Sequence, residues 1–227
     1  MNPNTFLIFV PMLIGYFMAS IPSGVWVGQL LYQKDVRTLG SGGSGMTNVL
    51  RNFGKPAAAI VFIMDLLKST LPVAFAGAFA FTYTSLGSTS PFLGQVAIML
   101  TGIGTCIGHS YPIFAQFKGG KAVSSAGSFM LMTNWAIAWL GLVVMLLIIK
   151  KTKIVSIGSM LGFLFAVLLT FLLWVPELST LAMWNHAQSG WLYTLTSFLI
   201  FVILVYRHKE NIQRLLAGKE LDFKKKK

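Results

Sequence analysis

Acidic residues are scarce: six Asp and Glu stand against 18 Lys and Arg in 227 residues, a formal net charge of +12. Charged residues of both signs make up 11% of the chain, where a soluble domain carries about a quarter. That shortage excludes an ordinary water-soluble domain. The single cysteine, Cys106, excludes an intramolecular disulfide and reads as a small buried hydrophobe. The six acids and three histidines never gather at ligand spacing, so neither a metal site nor a cofactor is expected. No internal repeat or linker is visible, and the only low-complexity block is Lys224–Lys227. A single domain over 1–227 is expected.

What the chain has in place of charge is apolar length. Hydrophobic residues make up 55% and the mean hydropathy is +0.72. Apolar runs fall at 6–31, 57–83, 92–114, 122–149, 155–175 and 191–206, mostly at or above the ~18 residues that cross a bilayer core. The first run lacks a basic lead-in and continues past signal-peptide length, so it reads as a retained span. The net positive charge sits in short loops and the tail, where the positive-inside rule accounts for it without nucleic acid.

That rule also sets the topology. Lys34, Arg37, Arg51 and Lys55 place the 32–56 loop in the cytoplasm and the N-terminus outside. The uncharged connector 84–91 fits the outer side, which returns Lys118 and Lys121 to the inside. As one helix, 122–149 would deliver Lys150, Lys151 and Lys153 outside, so it is expected to split near Thr133-Asn134. The first piece is then too short to span alone, so it is expected to insert partway or to pack against other helices. Glu177 and His186 fall outside and the tail inside. The expectation is an all-α polytopic membrane protein of about seven membrane helices, one or two short, N-terminus outside and C-terminus cytoplasmic.

Unusual residues concentrate on the inferred cytoplasmic side. In "RTLGSGGSGMTNVLR", 37–51, glycines let backbone N–H groups turn inward to hold an anion, ahead of Thr47, Asn48 and Arg51. It is not a Walker A loop, and a flexible polar loop is the plainer alternative. In "FKGGKAVSS", 117–125, Lys118, Gly119, Gly120 and Lys121 precede a short helix whose N-terminus suits an anion. A membrane anchor would explain the lysines but not the diglycine. In "YRHKENIQRLLAGKE", 206–220, His208, Asn211 and Arg214 share one helical face; a basic helix on anionic headgroups is the alternative. Asp65 and Lys68, an i,i+3 pair inside a span, read as structural support. His109 closes the third span. Ser156 and Ser159 read first as N-cap candidates and only second as ligands to a bound phosphate.

"GSGGSGMTNVLR", "GHSYPIFAQFKGGKAV" and "RHKENIQRLLAGKE" resemble, in order and spacing, the three cytoplasmic motifs of the bacterial acyl-phosphate:glycerol-3-phosphate acyltransferases (PlsY). "DLLKS" at 65–69 matches a fourth common stretch. The resemblance implies a seven-helix enzyme of the bacterial inner membrane, with its active site on the cytoplasmic face. It would transfer a fatty acyl group from acyl phosphate to the 1-hydroxyl of glycerol 3-phosphate, giving lysophosphatidic acid and phosphate. Both substrates and the membrane lipids are the implied partners, with the enzyme that supplies acyl phosphate a candidate. The family's functional serine and arginine fall on Ser41 and Arg51, beside Gly40, Gly42, Thr47 and Asn48. Its phosphate-binding glycines and lysine fall on Gly119, Gly120 and Lys121. Its third-motif asparagine and glutamate fall on Asn211 and Glu220. Ser41, Arg51 and Lys121 are the expected catalytic residues; Lys118, His109, Ser159, His208 and Arg214 join the substrate-binding set. Gly43, Ser44 and Met46, with Ala122-Val123-Ser124, depart from the family's usual wording. A small-anion transporter and a lipid-binding scaffold are the competing readings from the residues alone.

Overall fold

The computed structural model describes residues 3–85, 91–174 and 190–221, and every regular element among them is helical. The helices are α1 (Phe9–Ala19), α2 (Ser23–Tyr32), α3 (Met46–Phe53), α4 (Lys55–Ser85) and α5 (Pro91–Ser110). They continue as α6 (Val123–Thr133), α7 (Trp135–Thr152), α8 (Val155–Thr170), α9 (Gly190–Arg207) and α10 (Lys209–Leu216). Among the described residues, six stretches are long and apolar enough to cross a membrane: Phe6–Tyr32, Lys55–Thr82, Pro91–Ala115, Trp135–Thr152, Val155–Trp174 and Gly190–Arg207. Glu177, His186 and Lys224–Lys227, on which the outer-loop and tail readings rest, lie outside the described residues.

The 122–149 run divides where the charge argument required. Asn134 takes an extended backbone, and its side-chain carbonyl accepts the Ile137 N–H at 3.0 Å, which caps α7. An asparagine oxygen there satisfies a donor that the helix start leaves open. The 11 residues of α6 reach only about 16 Å, so this helix is held by protein. Ser125 hydrogen-bonds Ser69 at 2.7 Å, and Thr70 donates to Ser128 at 3.2 Å. On its other side Thr133 donates to the Tyr193 hydroxyl at 3.1 Å, and Phe129 and Met130 are fully buried.

The first apolar run is not one helix. The backbone breaks between α1 and α2 at Ser20–Pro22, since proline has no N–H to continue the ladder. The carbonyl of Ile21 accepts from Lys68 Nζ at 2.6 Å. Lys68 is paired in turn with Asp65 at 2.8 Å, and both are buried. The intramembrane ion pair therefore supports the break, which answers the cost of burying either charge alone. Along α1, α5 approaches closely: a Cβ on Gly104 would lie 2.7 Å from the Met12 carbonyl, and one on Gly108 would overlap that of Tyr16. Small residues allow such backbone approach where lipid offers no hydrophobic drive. One apolar core joins α4, α5, α6, α8 and α9, with Ile137 of α7. A second gathers Val27, Val36, Val49, Ala57, Ala58 and Val61 under α3.

Candidate active site

Three segments far apart in sequence meet at one end of the bundle. Arg37 donates to the Ala115 carbonyl at 3.0 Å, and Arg51 to that of Leu221 at 3.4 Å. Arg207 donates to the carbonyls of Gly120 at 3.0 Å and Gly119 at 3.2 Å. At this junction opens a cavity of about 670 Å³.

Its polar end is built first by the loop before α3. Asn48 is buried, and its amide donates to the carbonyls of Val36, Leu39 and Gly43 at 2.9–3.0 Å. Its oxygen accepts the Ser41 N–H at 3.0 Å. A single amide thus shapes the loop that presents Ser41, and satisfaction of this kind holds a buried polar group in place. Gly40 has φ +57°, and a Cβ there would overlap Asn48 Oδ1. Gly40 and Gly42 lie outside the cavity wall: their place is in the turn. On α3, Val49, Met46, Leu50 and Phe53 face the second core, leaving Thr47 and Arg51 one turn apart on the cavity side.

The second segment departs from the sequence expectation in its reason for diglycine. The Gly120 N–H is spent on the His109 carbonyl at 3.0 Å. A Cβ on Gly119 would overlap that same oxygen, and one on Gly120 would overlap His109 Nε2. The pair is glycine because the loop packs against the end of α5. Gly120, Lys121 and His109 line the cavity; Gly119 and the exposed Lys118 do not.

The third segment carries the carboxylate. Glu220 accepts from Asn211 at 2.5 Å, Ser156 at 3.0 Å and Arg214 at 2.8 Å. Burial works to raise its pKa, but these hydrogen bonds outweigh it and hold the carboxyl below its usual range. Ser156 is therefore a carboxylate donor, and Ile154 precedes α8 as its cap residue; Ser159 bonds back to Val155 O at 2.9 Å and lines the cavity. Arg214 stays behind Glu220, outside the wall. His208, at the start of α10, holds Leu204 O through Nδ1 at 2.8 Å and lines the cavity. Burial pushes its pKa down to about 4, so it is neutral with Nε2 as acceptor. Among the described residues, Asn211 Oδ1 and Arg214 Nη2 are buried without a hydrogen-bond partner.

Lys121 is a perturbed cation outside the spans. Burial, with Arg214 and Arg51 adding like charge, lowers its pKa to about 8 although Glu220 opposes the shift. A group of cations with one carboxylate has the charge to receive an anion. Asp65 and His109, both lining the cavity, approach at 3.9 Å, a pair that sequence separation hid. They share no hydrogen bond: Asp65 is held by Lys68, and His109 Nε2 faces the Gly120 backbone.

Away from the polar end the cavity becomes a slot between α4, α6, α7 and α8. Its walls include Phe62, Leu131, Trp139, Leu142, Leu146 and Phe163.

Known proteins share this fold. The family model described as Glycerol-3-phosphate acyltransferase matches residues 9–218. A glycerol-3-phosphate acyltransferase of Enterococcus faecalis is 35% identical over 213 residues, covering 94% of this chain and 90% of its own. One of Prochlorococcus marinus is 35% identical over 207 residues, covering 91% and 92%. The crystal structure of PlsY (YgiH), an integral membrane glycerol 3-phosphate acyltransferase, in its glycerol 3-phosphate form superposes with a TM-score of 0.76. It is 29% identical, with 95% of each chain covered. Its lysophosphatidic acid form gives a TM-score of 0.72 at 28% identity, with the same coverage. With a family match over residues 9–218 and a shared helical frame, this polytopic membrane chain belongs to the glycerol-3-phosphate acyltransferase family.

Proposed function

We propose that the chain transfers a fatty acyl group from acyl phosphate to the 1-hydroxyl of glycerol 3-phosphate, at the cytoplasmic face of a bacterial inner membrane. The observation that carries this reading is the continuity of the cavity: a cationic end with Arg51 and Lys121 opens into an apolar slot. One compartment thus offers a place for phosphate and for an acyl chain. The acceptor and the lysophosphatidic acid product are those of the structural relatives.

The donor is inferred from what the site contains. Among the described residues no histidine hydrogen-bonds a carboxylate in position to deprotonate the acceptor, which favours a strongly activated acyl donor. A mixed anhydride meets that need once its phosphate is neutralised by Lys121 and Arg51. The acceptor's hydroxyl oxygen attacks the acyl carbonyl carbon and a new C–O bond forms. The bond from that carbon to the phosphate oxygen breaks, phosphate leaves with the electron pair, and the hydroxyl proton passes to a phosphate oxygen. Ser41 aligns the acceptor and is not acylated. Positioning and charge stabilisation carry the rate.

A transporter would also show a broken helix and intramembrane charges. Here the break at Pro22 and the Asp65–Lys68 pair satisfy each other. The test is reconstitution of the pure protein with acyl phosphate and radiolabelled glycerol 3-phosphate. Labelled lysophosphatidic acid is expected. Label accumulating inside vesicles without product, comparable rates from acyl-CoA, or acylated Ser41 when acceptor is omitted would overturn the reading.

A further inference from the structure

The slot is lined by three glycines, Gly127, Gly141 and Gly162, and they are not alike. A Cβ on Gly141 would lie 2.9 Å from Ala166 Cβ, and one on Gly162 2.6 Å from Met145 Cβ. Those two exist so that α7 and α8 can touch. A Cβ on Gly127 would meet nothing within 4 Å. Its neighbours in sequence, Ala126 and Ser128, are buried in the bundle, whereas Gly127 is exposed within the wall of the slot. Glycine weakens a helix interior relative to alanine, and α6 has no packing reason to accept that. Its backbone is not in the left-handed region either. What the missing side chain leaves free is cavity.

Position matters as much as space. On α6 the slot is lined by Val123, Ser124, Gly127, Met130 and Leu131, one helical face. Gly127 stands midway, about 6 Å along the axis from Val123 at the polar end and about 6 Å from Leu131. Leu142, Met145 and Leu146 of α7 line the same slot. A chain running from the Lys121 end along this face of α6 passes Gly127.

We infer that Gly127 is a specificity-determining position for the acyl donor: the space left by its absent side chain is the gauge through which a long acyl chain threads. The inference rests on the acyl-transfer reading above. A side chain at 127 would narrow the gauge and leave the phosphate end unchanged, so long donors lose and short donors do not.

Because Cys106 is the sole cysteine, the gauge can be narrowed after folding. In a Cys106→Ala background, a Gly127→Cys variant is purified, then treated with methyl, butyl or octyl methanethiosulfonate. Transfer from palmitoyl and octanoyl phosphate is measured before and after reduction. The expected result is a loss of kcat/KM for the palmitoyl donor that grows with the attached group and reaches about tenfold or more, the scale of a steric penalty in an apolar pocket. Octanoyl transfer and the KM for glycerol 3-phosphate stay unchanged, and reductant restores the loss. Equal effects on both donors, or none on either, would overturn the inference. Should the unmodified protein transfer nothing from acyl phosphate, the functional reading falls. The gauge is then read by whether palmitoyl lysophosphatidic acid slows thiol labelling while glycerol 3-phosphate does not; equal labelling rates would overturn it.

Discussion

The backbone of Gly120 lies flat against the imidazole of His109: its N–H donates to the His109 carbonyl at 3.0 Å, and a Cβ would collide with Nε2. Gly120→Ala must therefore displace either the ring or the loop that carries Lys121. Overpacking of this kind costs about 1–3 kcal/mol. The variant is expected to be extracted as folded protein with a lowered Tm and at least about tenfold lower kcat/KM. Wild-type turnover in a folded Gly120→Ala protein would show that the loop's seat on His109 is immaterial to the site.

Arg207 is the second fastening of that loop. It bonds two successive carbonyls, and its guanidinium lies 4.8 Å from the Tyr111 ring centroid. Arg207→Ala should release the loop and raise the KM for a phosphate substrate. Arg207→Lys should fail to rescue, because an ammonium lacks the planar fork that reaches both oxygens. Unaltered kinetics in the alanine variant would mean that the loop holds itself.

Lys121→Ala and Arg51→Ala should each lose activity without loss of fold. Removing a charge-assisted contact of about 1.5–3 kcal/mol predicts about tenfold or more in kcat/KM. Near-full activity in either folded variant would remove that residue from the phosphate site.

The lowered pKa of Lys121, about 8, gives binding and stability opposite pH trends. The free protein loses this charge as pH rises through about 8, and a bound phosphate restores it. Glycerol 3-phosphate binding should weaken above that pH and take up protons, which calorimetry in buffers of different ionisation enthalpy measures. The folded state binds fewer protons here than the unfolded chain from about 8 up to the ordinary lysine range. This residue's contribution to stability therefore rises across that window. Binding that is flat through pH 9 would contradict the assignment.

Topology is tested at exposed lysines. In the Cys106→Ala background, Lys118→Cys and Lys151→Cys should react with a membrane-impermeant maleimide only after permeabilisation. Reaction in intact cells would place the cationic end outside.

A protein spanning the membrane was legible in the chain because apolar length and charge scarcity are one-dimensional properties. So was the division of α6 from α7, since Asn134 caps its own following turn and the lysines after α7 restrict where it can end. The three polar segments were legible as segments, each with its glycines and cations in place. What each residue does within them was not. Asn48 proved the organiser of its loop, the diglycine a packing seat against His109, and Ser156 a donor to Glu220. Arg207 carried no signal beyond a positive charge at the end of a span. Nor did Gly127 stand apart from other small residues near it. These roles depend on contacts between segments tens of residues apart, such as Arg207 with Gly120 or Asp65 with His109. Local pattern sets which residues can form a helix or turn; which carbonyl a guanidinium reaches, and which glycine faces open space, is decided only once the helices have packed.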